Sequence, residues 1–158
     1  MEQAVVSAVT HDTSEAKITV VAVPDRPGIA ARLFRALADR GVNVDMIVQN
    51  TSHDGTTDIS FTAPKADLAA AMEVCTPLAA EIGAREVTND STIARVSIVG
   101  AGMKTNPGVS ATMFETLSAA AINIQMISTS TIRLSCVIDA ARVEDAVQLL
   151  HSAFGLDA

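Results

Sequence analysis

The chain has no tryptophan and no tyrosine, and only four phenylalanines among its 158 residues. So few rings leave little on which nucleobases could stack. Eighteen acidic side chains against eleven lysines and arginines give a formal net charge of −7, so the cationic surplus that neutralises phosphates is also missing. Both absences exclude a nucleic-acid partner. Hydrophobic residues make up 49% of the chain, yet no apolar run reaches the roughly 18 residues of a membrane span. The opening Met1-Glu2-Gln3-Ala4 has neither a basic start nor a long apolar core. The expectation is a cytoplasmic protein with no membrane association.

Catalytic signatures are absent too. There is no phosphate loop of the Gly-x-x-x-x-Gly-Lys-Ser/Thr kind, no Gly-x-Gly-x-x-Gly after a strand, no His-Glu-x-x-His and no nucleophile elbow. Gly100-Ala101-Gly102 lacks a third glycine and reads as a turn. Cys75 and Cys136 lie far apart, each in an apolar periodic segment, and share no ligand spacing with His11, His53 or His151. They read as packing residues and the histidines as surface or loop residues. No catalytic residue, no metal site and no cofactor are expected.

What is present is a duplication. Pro27/Pro107, Gly28/Gly108, Phe34/Phe114, Leu37/Leu117, Asn43/Asn123, Met46/Met126 and Ile47/Ile127 all recur at a spacing of 80 residues. In each copy an apolar stripe at helical spacing follows the Pro-Gly step: Ile29, Leu33, Phe34 and Leu37, then Val109, Met113, Phe114 and Leu117. Gly41 ends the first helix. The next stretch alternates, with Val42, Val44, Met46 and Val48 on one face and Asn43, Asp45, Ile47 and Gln49 on the other. Its twin puts Ile122, Ile124 and Met126 opposite Asn123, Gln125 and Thr129.

The first unit reads as strand Lys17 to Val23, helix, strand Val42 to Gln49, a turn at His53-Asp54-Gly55-Thr56, strand Asp58 to Thr62, helix Ala66 to Ile82 and strand Arg85 to Thr88. Pro77 is expected to kink that helix or end its first part. The second unit repeats the order with Arg95 to Val99, a helix, Ile122 to Ile127, Ile132 to Ile138 and a helix from about Val143 to Phe154, but lacks the last strand. The β-prone run Ala4 to Val9 would fill the unpaired place. The expected architecture is therefore α+β: two ferredoxin-like βαββαβ units, residues 17–90 inserted within a second unit made of 4–10 and 91–158.

The start of each helix, beside a polar strand face, suits a free amino acid. First-turn amides lack partners and favour a carboxylate, Gly28 allows close approach, and Asp25 could hold an ammonium. Asn43, Asp45 and Gln49 add donors and acceptors. Each also has a structural reading: Asp25 as a turn cap, Gly28 and Gly108 as relief of backbone strain, Asn43 and Asn123 as ties between loops, Asp45 and Gln49 as solvated strand residues.

Lys17-Ile18-Thr19-Val20, Pro24-Asp25-Arg26-Pro27-Gly28-Ile29-Ala30-Ala31, Asn43-Val44-Asp45-Met46-Ile47-Val48-Gln49-Asn50, Val96-Ser97-Ile98-Val99-Gly100-Ala101-Gly102-Met103 and Ile127-Ser128-Thr129-Ser130 together resemble the tandem ACT domains of bacterial aspartokinase. The chain is similar in particular to the short regulatory β subunit of the α2β2 enzymes. The resemblance implies feedback inhibition of aspartate phosphorylation by L-threonine, often with L-lysine, bound at ACT–ACT interfaces. It also implies a homodimer through the ACT domains and a catalytic α subunit as partner. The implied ligand residues are Asp25, Gly28, Ile29, Ala30, Asn43, Val44, Asp45 and Gln49, with Val109, Ser110, Asn123, Ile124, Ser128 and Thr129 in the second unit. The family usually carries Glu where this chain has Thr131, a carboxylate that could answer a lysine ammonium. The other reading is a stand-alone ACT protein that binds an amino acid and regulates a different enzyme or transcription.

Overall fold

The computed structural model describes residues 5–51, 54–101 and 106–157. Ala4, His53 and Gly102 lie outside the described residues. Eight strands and four α-helices occur among them: β1 (Val5–Asp12), β2 (Glu15–Pro24), α1 (Ile29–Asp39), β3 (Ile47–Thr51), β4 (Thr56–Pro64), α2 (Leu68–Ile82), β5 (Glu86–Asp90), β6 (Ile93–Ala101), α3 (Pro107–Ala119), β7 (Met126–Thr129), β8 (Arg133–Asp139) and α4 (Val143–Ala153). They form two antiparallel sheets, ordered β3-β4-β2-β5 and β1-β6-β8-β7.

The two orders are one order. β1 pairs with β6 from Val5 opposite Ala101 to Asp12 opposite Arg95, and so occupies the place that β5 fills beside β2. Ser14–Ser91 make one compact unit; β1 and everything from Thr92 onward make the other. The first ferredoxin-like unit is thus inserted within the second. Arg95 and Asp12, 3.4 Å apart and partly buried, tie β1 to β6.

Each unit buries one face of its sheet under two helices. Leu33 and Leu37 of α1, Ile18 and Val20 of β2, Ile59 and Phe61 of β4 and Cys75 of α2 are sealed in the first core. Phe34 meets Phe61 edge to face, ring centres 5.8 Å apart. In the second unit Met113 and Leu117, Val96 and Ile98, Leu134 and Cys136, and Leu150 do the same. The predicted helical stripes are these residues.

Three local expectations need correction. Gly100 and Ala101 belong to β6 rather than to a turn. Helix α2 runs through Pro77 without a break. Pro77 is exposed, so the carbonyl it fails to pair faces the solvent side, while Ala71, Cys75, Leu78 and Ile82 hold the buried face on either side. The strands after α1 and α3 also begin later than their alternation suggests. Val42 to Met46 bury in the expected alternating order, but the Thr62 hydroxyl takes the Met46 amide at 3.0 Å, and the ladder to β4 starts at Ile47. β7 likewise starts only at Met126.

Candidate functional site

Strand β2 carries a bulge between Val20 and Val23, where Ala22 has a φ of 55° and donates its amide to Asp58 Oδ1 at 2.8 Å. A bulge bends its strand, and here it leads Pro24 and Asp25 toward the start of α1. The Asp25 amide donates to the Gly55 carbonyl at 2.9 Å, pinning this turn to the β3–β4 connection. Gly28 precedes α1 with a φ of 92°, which an L side chain rarely adopts, and a Cβ there would meet nothing within 4 Å. The backbone is therefore open on that side, and no side chain caps the helix.

A cleft of about 360 Å³ results, lined by Pro24, Asp25, Arg26, Pro27, Gly28, Ile29, Ala30, Gln49, Thr57 and Ile59. Five expected residues thus share one cavity: Asp25, Gly28, Ile29, Ala30 and Gln49. Among the described residues the Asp25 carboxylate, the Arg26 guanidinium and the Gln49 amide make no side-chain hydrogen bond or ion pair, so the turn-cap reading of Asp25 has no support. Asn43, Val44 and Asp45 are not in this lining. They lie in the irregular stretch between α1 and β3, with Asn43 and Asp45 exposed and Val44 packed on the core. No side-chain bond ties Asn43 or Asn123 to a neighbouring loop among the described residues.

The second unit divides its expected residues. Ser110 and Thr129 line a cleft of about 360 Å³ with Pro107, Ser130, Thr131, Arg133 and Leu134. Asn123 and Ile124 line a more open one of about 450 Å³ with Phe114, Ser118, Ala121 and Ile122. Val109 is buried on the first turn of α3, and Ser128 is exposed on β7. Chain spacing does not mark Arg26, Thr57 or Arg133. The alternation of β4, with Thr57 and Ile59 both buried, is the signal that places Thr57.

The two thiols are sealed in the cores. Burial pushes Cys75 up to about 11 and Cys136 up to about 12, so neither is a thiolate near neutral pH. Among the described residues no group of three or more His, Cys, Asp or Glu side chains could hold a metal ion, and no helix is long and apolar enough to cross a membrane.

Residues 17–74 and 96–154 each match the ACT domain family. The whole chain aligns at 49% identity with the aspartokinase of Pseudomonas aeruginosa, covering 38% of that protein. The regulatory subunit of aspartate kinase from Thermus thermophilus, in its ligand-free form, superposes with a TM-score of 0.90 at 42% identity, over 94% of this chain and 98% of that one.

The chain belongs to the aspartokinase family of tandem ACT regulatory regions.

A crystal structure of aspartokinase alpha and beta subunits gives a TM-score of 0.89 at 44% identity, over 95% of this chain and 99% of that one. This aspartokinase ACT chain spans 38% of the length of the curated relative it matches, and what aligns is its regulatory region. The ACT units account for the fold: each matched stretch begins on or near the strand that enters the Pro-Gly step.

Proposed function

We propose that this chain is the amino-acid sensor of an aspartokinase assembly, and that L-threonine bound to it lowers phosphorylation of aspartate. The observation that carries this is the cleft at the start of α1. Asp25 and Arg26 face the same cavity with no protein partner among the described residues, beside first-turn amides of an uncapped helix. A free amino acid presents one ammonium and one carboxylate. Asp25 answers the first; Arg26 and the amide of Ala30 answer the second. Gln49 and Thr57 reach a side-chain hydroxyl, and Ile59 borders a methyl.

The remaining expected residues belong, in this proposal, to surfaces where ACT domains associate. Asn43, Val44 and Asp45 precede the outermost strand β3, and Asn123 and Ile124 precede the outermost strand β7. Each of these strands exposes an isoleucine, Ile47 at 54% and Ile127 at 45%. Apolar edge strands favour pairing with another chain, so a homodimer and contact with a catalytic α subunit follow. Ser110 and Thr129 line the cleft at the start of α3, and Val109 and Ser128 are their neighbours in the chain. Thr131 leaves that cleft without a carboxylate for a lysine ammonium, so threonine acts without lysine. Inhibition requires that threonine prefer one assembly state, because a ligand shifts an equilibrium only by its differential affinity.

Calorimetry with L-threonine tests this. Binding is expected at or below millimolar concentration with a rise in melting temperature. Asp25→Asn and Arg26→Gln each weaken binding about tenfold or more through a lost charge-assisted hydrogen bond. No heat and no thermal shift at millimolar threonine would refute the reading.

A further inference from the structure

Strand β2 gains one residue at its bulge: three steps lead from Val20 to Val23, while Ile59 and Thr57 opposite them are two apart. One extra residue turns every later side chain to the other face. By strict alternation from Ile18 and Val20, Ala22 would enter the core; instead Val23 is sealed there and Ala22 is half-buried. The turn that carries Asp25 and Arg26 thus leaves the strand on the face that the bulge chooses. The bulge is held from both sides. The Val21 carbonyl accepts from the Arg85 amide at 2.9 Å, and the Ala22 amide, off the ladder at a φ of 55°, donates to Asp58 Oδ1 at 2.8 Å. The first bond is backbone to backbone; the second depends on one side chain.

We infer that Asp58 is a positioning residue of the cleft at the start of α1, acting through the Ala22 amide without touching the ligand. This rests on the threonine reading of that cleft and adds the side chain that sets its shape. Thr57 and Ile59, on either side of Asp58 in β4, are buried and line the cleft, whereas Asp58 is exposed on the opposite face of the sheet and outside the lining. An alanine in the left-handed region is strained by its Cβ, and a charge-assisted bond from its amide to a carboxylate offsets that strain. Without the acceptor, the relaxed backbone at Ala22 is extended and strict alternation returns. Asp25 and Arg26 then turn away from Gln49 and Thr57. The next links, Pro24 opposite Thr56 and the Asp25 amide on the Gly55 carbonyl, lie beyond the bulge and inherit its register.

The test compares Asp58→Ala with Asp58→Asn in the full chain, by calorimetry with L-threonine and by amide hydrogen exchange without it. Alanine removes the acceptor and weakens threonine binding about tenfold or more, while asparagine keeps an Oδ1 and stays within about threefold of the wild type. Asp58 is exposed, and melting temperatures of the unliganded variants check that both fold. In hydrogen exchange the Asp25 amide loses protection in Asp58→Ala and keeps it in Asp58→Asn, with Leu33 and Leu37 of α1 unchanged in both. Wild-type affinity in Asp58→Ala, or an equal loss in Asp58→Asn, would overturn the inference. If the wild-type chain binds no threonine, the ligand reading fails by itself and exchange decides the role of Asp58: unaltered protection at Asp25 in Asp58→Ala overturns it.

Discussion

Helices α1 and α3 end alike and begin differently. At their C-termini the copies coincide at the 80-residue spacing: the amides of Arg40 and Ala120 reach Leu37 and Leu117, and those of Val42 and Ile122 reach back to the same carbonyls at 3.0 and 2.9 Å. Gly41 sits in the left-handed region at a φ of 77°, and Ala121 takes the same conformation at 56° despite its Cβ. At their N-termini the copies part. α1 starts at Ile29 behind a left-handed Gly28, while α3 starts two positions earlier in the repeat, at Pro107. Buried Leu37, Leu117, Val42 and Ile122 impose one exit on both helices. At the entry Ile29 and Val109 are also buried at that spacing, but the residues just before them are exposed or partly buried, and there the copies diverge. In this duplicated fold the helix end fixed on both sides by the core keeps one geometry, and the end fixed on one side varies.

The strongest way to break the comparison is to remove the strand that only one unit borrows. Deleting residues 1–12 takes away β1, with seven residues in register against β6, and strips Val6 and Val9 from the second core. The loss is expected to exceed about 3 kcal/mol, from apolar burial alone. Hydrogen exchange should then lose protection in β6 and β8 while β2 and β4 keep theirs. Equal loss in both sheets would show the units to be one cooperative body.

Exchanging the residues at the helix exits sharpens it. Gly41→Ala places a Cβ in a left-handed conformation and should cost about 1 kcal/mol; Ala121→Gly relieves the same strain and should gain up to about 1 kcal/mol. Urea denaturation of both variants reads the opposite signs.

The smallest effect compares the two thiols. Each has a folded value above its ordinary 9.0, about 11 for Cys75 and about 12 for Cys136. The folded protein keeps protons that the unfolded chain has lost, so the thiol contribution is whole below pH 9 and fades as pH rises from there. The fall should end near pH 11 for Cys75 and continue to about pH 12 for Cys136. Urea midpoints of Cys75→Ala and Cys136→Ala against pH would show the slope lost over those two windows.

Much of the fold was legible in the chain because it rests on short-range repetition. Helical spacing of Leu33 and Leu37 marks a buried face, and β-branched runs mark strands. A missing sixth element in the second unit points to the run before Thr10. The parity of Val42 to Gln49 names the buried face correctly but not where pairing starts, because the Thr62 hydroxyl that intercepts the Met46 amide comes from a strand sixteen residues away. Pro77 misleads for a similar reason: its local cost is offset by a helix face packed on both sides of it.

By itself the sequence determined that the chain is doubled and that each copy is a strand-helix alternation with one apolar face. Tertiary structure alone decided which charges found partners, that Asp25, Gly28 and Gln49 share a cavity while Ser110 and Asn123 do not, and that an alanine must take a glycine's conformation at position 121. The reason is range. Periodicity is written between neighbours in the chain, whereas ion pairing, cavity lining and backbone strain depend on groups that only the folded sheets bring within a few ångströms.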